Sequence, residues 1–158
     1  MLKRQSLARS VMFTAVMAMT LGAVAAQATE LQQPKSLYDR LGGIYPISTV
    51  VNTFIDLLLA NDVLNSNPAI NEARKHVPAA GLKFQVTALV CQTSGGPCQY
   101  IGRAMKQAHV NLNISETEWQ AMMADFRRTL NNYGVPAQEQ GELIAIVEST
   151  KTDIVIRK

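Results

Sequence analysis

Residues 47–59 read ISTVVNTFIDLLL. Within them Ile47, Val51 and Phe54 recur at intervals of three or four positions, which is the spacing of one face of an α-helix. The apolar residues at positions 50, 55, 57 and 59 widen this face. A helix with so wide an apolar face is enclosed by other helices. The stretch therefore predicts a fold of packed helices, with one long helix over residues 46–60.

The rest of the chain carries similar helical patterns separated by short turn signals. The turns are marked by Gly42-Gly43, by Ser94-Gly95-Gly96-Pro97 and by Gly134-Val135-Pro136, and Ser115-x-x-Glu118 is a capping box that opens a helix. The β-branched residues 154–156 have no partner strand in view, so the predicted fold class is all-α. The helices are expected over residues 37–41, 46–60, 69–76, 79–92, 100–112, 116–133 and 137–156, with 61–68 as a loop.

The first 28 residues have the composition of a secretory signal. Basic residues end at Arg9, residues 10–29 carry no charge, and Ala26-Gln27-Ala28 has the small-x-small form of a cleavage site. We expect a signal peptide over 1–28 and a mature domain over 29–158 that is exported to the periplasm and not embedded in the membrane. An uncleaved leader would instead anchor the domain to the membrane.

Charge and length restrict the function of the mature domain. Three of the 15 basic residues lie in the leader, so the remaining 12 equal the 12 acidic residues. A neutral domain lacks the surplus of Lys and Arg that nucleic-acid binding requires, and no nucleic-acid partner is expected. A chain of 158 residues with 47% apolar and 17% charged residues has the size and composition of one globular domain.

Several common kinds of catalytic site lack their motifs. The sequence contains no G-x-S-x-G, no phosphate-binding G-x-x-x-x-G-K, no H-E-x-x-H and no C-x-x-C. It also lacks the C-x-x-C-H motif to which c-type haem is attached. The reactive groups that remain are two histidines, two cysteines and scattered carboxylates.

His109 and the two cysteines each allow more than one interpretation. His109 shares a helical face with Met105, so it is either a core histidine bonded to a backbone carbonyl or an axial ligand of a metal or haem iron. Cys91 and Cys98 are seven positions apart, and in an exported protein we expect a disulfide between them. A zinc site formed by these three residues and His76 is an alternative with no standard spacing.

Two further patterns concern the later helices. The glutamates at positions 139, 142 and 148 are interpreted as a solvated face. The apolar residues of the capped helix follow helical spacing and are predicted to be core: Trp119, Met122, Met123, Phe126 and Leu130.

The motifs together resemble the group I truncated haemoglobins. The resemblance rests on SLYDRLGG at 36–43, on GGP at 95–97 followed by YIGRAM at 100–105, on Ala108-His109, and on GVP at 134–136. It covers residues 36–155. It implies a truncated two-over-two globin, a helical sandwich, that holds haem b non-covalently.

The resemblance also assigns roles to residues around this haem. His109 falls on the family's proximal iron ligand, Arg103 is placed to pair with a haem propionate, and Gln85 lies on the distal wall. His76 precedes the distal helix and would reach the iron only if its segment moved. The cofactor-binding residues implied are His109, Phe54, Ile55, Leu82, Gln85, Val86, Tyr100, Arg103 and Met105.

The distal side departs from the family pattern. Many members have Tyr where this chain has Ile55, and often Gln where it has Leu82. Val86 also lacks a polar group, which leaves Gln85 as the remaining donor to a bound gas. The aromatic pair that precedes the distal helix in other members is replaced by residues 65–68, NSNP.

The expected function is reversible binding of a diatomic gas, O2, NO or CO, at a His-ligated haem iron. We expect fast release of oxygen because a net hydrogen bond of about 0.5–1.5 kcal/mol is available from Gln85 alone. An alternative is an enzyme, either a haem-dependent NO dioxygenase or a peroxidase-like protein, which would need an electron donor that the sequence does not identify. A second alternative is a haem-free binding module with the same fold.

Overall fold

The computed structural model describes residues 34–156, which form an assembly of helices. The predicted signal peptide, residues 1–28, lies outside this range. Within it the single β-type contact is an isolated bridge between Ile114 and Val155, and the prediction of an all-α fold is confirmed. The helices are α1 Leu37–Arg40, α2 Ile44–Ala60, α3 Asp62–Asn65, α4 Pro68–Arg74, α5 Ala79–Thr93, α6 Met105–His109, α7 Glu116–Asn132, α8 Ala137–Glu148 and α9 Lys151–Ile154.

The prediction of a loop over residues 61–68 is wrong, because two asparagines start helices there. The Asn61 side-chain oxygen accepts hydrogen bonds from the backbone N–H groups of Val63 and Leu64, which opens α3. The Asn67 side chain does the same for the first turn of α4. Asparagine is among the best residues at this position because its oxygen satisfies donors that the helix leaves unpaired.

The helix predicted over residues 100–112 is shorter than expected. The structure forms helix only over α6, and the segment before it is irregular. The backbone N–H of Tyr100 donates to Gln92 Oε1 at 2.7 Å, so this donor is bound to a side chain of the previous helix. The Tyr100 hydroxyl donates to the Arg103 carbonyl at 2.7 Å, which folds the segment back on itself.

The last predicted helix, 137–156, is divided into α8 and α9. The hydroxyls of Ser149 and Thr150 donate to the carbonyls of Ile146 and Val147, both at 2.7 Å, and these bonds accompany the break. After α9 the Ile156 N–H donates to the Ile114 carbonyl at 2.9 Å. Hydroxyl groups near a helix end offer the backbone an alternative to continuing the helix.

The core lies on α2 and α7. Helix α2 packs against α5 and α7, α3 packs against α7, and α1 packs against α8. The predicted core of α7 is confirmed, since Trp119, Met123 and Leu130 are 2% exposed or less and Phe126 is also buried. Met122 packs against the same cluster from a partly buried position.

The glutamates of α8 do not all form a solvated face as predicted. Arg40 in α1 donates from Nη1 to Glu139 Oε1 at 2.9 Å and from Nη2 to Glu142 Oε2 at 2.5 Å. Glu139 is buried. The hydrogen bond from Arg40 lowers the pKa of the Glu142 carboxyl. These pairs tie α1 to α8 across about a hundred residues of chain.

Candidate functional site

His109 is the last residue of α6, and its ring is fixed by a hydrogen bond. The ring atom Nδ1 lies 2.8 Å from the carbonyl oxygen of Met105, one turn earlier. A carbonyl only accepts, so Nδ1 carries the proton and donates it. The lone pair of a neutral imidazole then lies on Nε2. A histidine that donates one ring N–H to a backbone carbonyl while ligating through the other nitrogen is the usual arrangement at metal sites.

The segment before α6 places Tyr100 and Arg103 at the start of this region. Tyr100 is half-buried, and its hydroxyl is bonded to the Arg103 carbonyl. A Cβ at position 102 would lie within 3 Å of the Tyr100 ring, so Gly102 is the residue that allows this approach. The Arg103 side chain is exposed. Its guanidinium is therefore accessible to a carboxylate, whereas the Tyr100 hydroxyl is already bonded within its own segment.

The predicted distal residues form one apolar cluster between α2 and α5. Ile55 is 1% exposed and packs with Ile47 and Val51. Leu82 and Val86, one turn apart on α5, pack against that cluster. The structure therefore brings together the three apolar side chains predicted to form the distal wall.

Phe54 occupies the junction between the two halves of the core. It packs against the α2 cluster and against the α7 cluster, and its ring centroid lies 5.1 Å from that of Phe126 with an interplanar angle of 56°. Tilted aromatic pairs at this separation are favourable. Phe54 therefore anchors α2 on α7.

Gln85 has a buried polar atom without a partner. It lies on α5 between Leu82 and Val86, and its Oε1 is buried and accepts no hydrogen bond within residues 34–156. An unsatisfied buried acceptor costs about 1–3 kcal/mol, so such a group invites an explanation in terms of function or a missing partner. Rotation of the amide exchanges its oxygen and nitrogen, so the same side chain can offer a donor.

The remaining candidates do not form a metal-binding cluster. Cys91 and Cys98 are joined by a disulfide with a Cα–Cα distance of 5.7 Å, so neither supplies a thiolate. The His76 side chain is 75% exposed, with Nε2 at 3.5 Å from Glu72 Oε1. No group of three or more His, Cys, Asp or Glu side chains suited to a metal ion occurs in the described part of the chain. The zinc alternative is therefore wrong.

The sequence did not predict the contact between Gln92 and Tyr100. Gln92 on the last turn of α5 holds the Tyr100 backbone, and it was not among the predicted site residues. Its contact joins residues in different segments, and the spacing of residues within one helix gives no signal for it. The structure thus places the predicted residues in two groups, Ile55, Leu82 and Val86 on α2 and α5, and Met105 and His109 on α6, which packs against α9.

Comparison with known proteins identifies the family. The sequence pattern of the bacterial-like globins matches residues 36–156. The chain is a bacterial-like globin. Within residues 34–156 of this globin, no helix combines the length and the apolar character needed to cross a bilayer.

The globin is similar to several truncated haemoglobins. It is 24% identical over 125 residues to the group 1 truncated haemoglobin of Tetrahymena pyriformis, an alignment that spans 79% of this chain and 98% of the relative. It is 27% identical over 122 residues to a group 1 truncated haemoglobin of Mycolicibacterium paratuberculosis, spanning 77% and 85% of the two chains.

Solved structures share the fold. The Fe(III) form of the Tetrahymena protein superposes with a TM-score of 0.67 at 24% identity, covering 78% of this chain and all of that one. The 2/2 haemoglobin of Synechococcus, solved in the cyanomet state with covalently attached haem, gives the same TM-score and coverage at 23% identity. The predicted two-over-two globin fold is thereby confirmed.

The side chains present fit the haem that the globin family implies. His109 offers Nε2 as an iron ligand because its Nδ1 is bonded to Met105. Gln85 carries a buried amide oxygen without a partner on α5, beside the apolar side chains of Leu82 and Val86. An imidazole donor, an apolar wall and one polar group are the features by which proteins hold haem and choose its ligands.

Proposed function

We propose that this globin holds a haem whose iron is ligated by His109 Nε2 and that it reversibly binds a diatomic gas. The globin family carries the assignment of His109 to the iron, and the orientation of its ring rests on the 2.8 Å hydrogen bond between His109 Nδ1 and the Met105 carbonyl. This bond fixes both the tautomer and the direction of the imidazole. When bound, ferrous haem supplies an iron with one coordination position open to O2, NO or CO.

The chain's own residues would perform three tasks in this function. Met105 would keep His109 oriented through its carbonyl. Ile55 and Val86 would exclude water from the distal side, since both lie in the apolar cluster between α2 and α5. The exposed guanidinium of Arg103 would pair with a propionate carboxylate, for which its planar donors are suited.

Gln85 would provide the polar contact to the gas ligand. Its amide N–H would stabilise a gas ligand that carries partial negative charge. Ile55 offers no hydroxyl at the position where many group I members have tyrosine. We therefore propose weaker retention of oxygen than a tyrosine would give.

The haem is proposed to be haem b held without a covalent bond. The chain has two cysteines, and both are in the disulfide, which leaves no thiol for a thioether link. Extraction of the haem into acidified organic solvent tests this, because a covalently attached haem would stay with the protein.

The protein is also proposed to be exported to the periplasm. The disulfide supports an oxidising compartment, because such bonds are rare in cytosolic proteins. Cell fractionation with mass measurement of the purified chain tests it. A mass that includes residues 1–28 in the membrane fraction would favour the uncleaved anchor.

The deciding experiment compares absorption spectra of wild type, His109→Ala and the control His76→Ala. The wild type and His76→Ala, supplied with haem, should show a Soret band that shifts when CO is added to the ferrous form. His109→Ala should lose the band or show an altered one. Identical spectra for wild type and His109→Ala would show that His109 does not ligate the iron. A folded wild type that takes up no haem would support the haem-free binding module instead.

A further inference from the structure

The Cys91–Cys98 disulfide lies at the end of α5 and reaches the segment that leads to His109. Cys91 is completely buried in the last turn of α5, and Cys98 follows the turn formed by residues 94–97. The Gly96 N–H donates to the Cys91 carbonyl at 2.8 Å. A Cβ at position 96 would lie 2.7 Å from the Cys91 sulfur, closer than real contacts allow, so glycine is required here.

A second contact holds the same segment on α5. Gln92 lies directly after Cys91, and its side-chain Oε1 accepts the Tyr100 N–H at 2.7 Å. Tyr100 follows Cys98 by two residues, and its hydroxyl donates to the Arg103 carbonyl, immediately before α6. Neighbouring residues of α5 thus hold residues 98–103 by one covalent bond and one hydrogen bond.

Helix α6 depends on such external support. It is a five-residue helix with no buried residue and no side-chain cap at Ala104. Isolated helices of this length are unstable in water because the first turn fixes several residues for one hydrogen bond. Helix α6 packs against α9, and residues 98–104 connect it to the end of α5.

We propose that Cys91, Cys98 and Gln92 are positioning residues that hold the segment carrying the proximal histidine. They act through Tyr100 and Arg103, the residues between the disulfide and α6. Without the disulfide, residues 98–109 open more often, the His109 imidazole is presented for a smaller fraction of time, and haem is lost faster. The part of this inference that concerns haem rests on the proposed function, whereas the part that concerns residues 98–109 does not.

The test begins with hydrogen exchange of the haem-free protein, measured by mass spectrometry. The variants are Cys91→Ala/Cys98→Ala, Gln92→Met, which removes the acceptor, and Gln92→Glu, which keeps an acceptor oxygen. In the double variant, peptides from residues 98–109 should exchange at least tenfold faster, while peptides from α7 keep the wild-type rate. Gln92→Met should accelerate the same peptides a few-fold, and Gln92→Glu should restore the wild-type rate.

The second measurement is transfer of haem from the loaded protein to an excess of apomyoglobin. Haem transfer should be at least tenfold faster in the double variant than in the wild type, and a few-fold faster in Gln92→Met. In Gln92→Glu the rate should be close to that of the wild type. Unchanged exchange of residues 98–109 in the folded variants would show that the disulfide and Gln92 do not hold this segment. Faster exchange with unchanged haem transfer would overturn its link to His109.

Two outcomes separate this inference from the proposed function. If the wild type takes up no haem, the proposed function fails, and the exchange rates of residues 98–109 still decide whether the tether exists. If the double variant does not fold, the comparison of Gln92→Met with Gln92→Glu decides the same question. Equal exchange in those two variants would overturn the role of Gln92.

Discussion

At the scale of single residues, Gln85 is the side chain that we propose to contact the gas ligand. Its Oε1 is buried without a partner, and its neighbours on α5 are apolar. Gln85→Leu removes the amide and should accelerate oxygen release by a few-fold to about tenfold, equivalent to a net hydrogen bond of about 0.5–1.5 kcal/mol. Flash photolysis or stopped-flow mixing of the ferrous protein measures the rate.

The matched control for this prediction is Gln138→Leu. Gln138 is exposed on α8, where its amide donates to Glu142 at 3.3 Å. The same chemical change there should leave oxygen release unchanged. Slow release in the wild type that Gln85→Leu does not accelerate would contradict the assignment of Gln85 as the distal donor.

At the scale of helices, the start of α7 combines a cap with a titrating group. The Ser115 hydroxyl accepts the Glu118 N–H, and Glu118 Oε2 accepts from the Ser115 N–H at 2.6 Å, which completes the capping box predicted from the sequence. Burial by itself raises the pKa of Glu118, but hydrogen bonds from Ser115 and Asn67 outweigh it, and the net shift is downward.

Ser115→Ala should destabilise the protein by about 0.5–2 kcal/mol at neutral pH. A carboxyl whose pKa is lowered by folding adds stability above its unfolded pKa, near 4.3, and this stability is lost as the pH falls through the folded pKa. The difference between Ser115→Ala and the wild type should therefore shrink as the pH falls through the folded pKa of Glu118, because the bond from the Ser115 hydroxyl to the Glu118 carboxylate weakens. It should not vanish, because the bond that the hydroxyl accepts from the Glu118 N–H does not titrate. Urea denaturation at several pH values measures the difference.

The control for the cap is Ser48→Ala, at a half-buried serine within α2 whose hydroxyl donates to the Tyr45 carbonyl. It should change the free energy of unfolding by less than about 0.5 kcal/mol at every pH. A loss of stability in Ser115→Ala that stays constant down to pH 3 would mean that Glu118 does not contribute through its charge.

At the scale of the whole molecule, stability depends on the packing of α2 on α7. Phe54 and Phe126 meet at this interface with ring centroids 5.1 Å apart, and Phe126 is 7% exposed. Phe126→Ala should lower the free energy of unfolding by about 3–5 kcal/mol, because it removes buried apolar area and leaves a cavity. Phe84→Ala is the control, since Phe84 is 62% exposed on α5 and should contribute little. Equal losses in the two variants, measured by urea denaturation, would contradict the importance of this interface.

Some features of the fold could be predicted from the sequence, and others could not. The spacing of apolar residues predicted α2, α5 and α7 and the core side chains Trp119 and Met123, because helical periodicity is visible within a few turns of chain. The capping box of α7 was predicted because its two residues, Ser115 and Glu118, lie only three positions apart. The asparagine caps of α3 and α4 were equally local but were interpreted as part of a loop, since Asn is common in both settings.

Within the candidate site the sequence indicated residue types and the structure indicated their surroundings. His109, Gln85 and the apolar residues of the distal wall followed from the family resemblance. Their environments did not: the unpartnered Gln85 oxygen and the contact of Gln92 with Tyr100 depend on how separate segments approach each other.

The sequence by itself therefore determined the all-helical class, the long helices and the family, because apolar periodicity, caps and motif order are written along the chain. The tertiary structure alone decided that residues 100–104 leave the helix, that Arg40 pairs with two glutamates of α8, and that Gln92 of α5 accepts the Tyr100 N–H. The physical reason is that hydrogen bonds and ion pairs between distant residues form only after the helices pack. Before packing, water satisfies the same polar groups equally well.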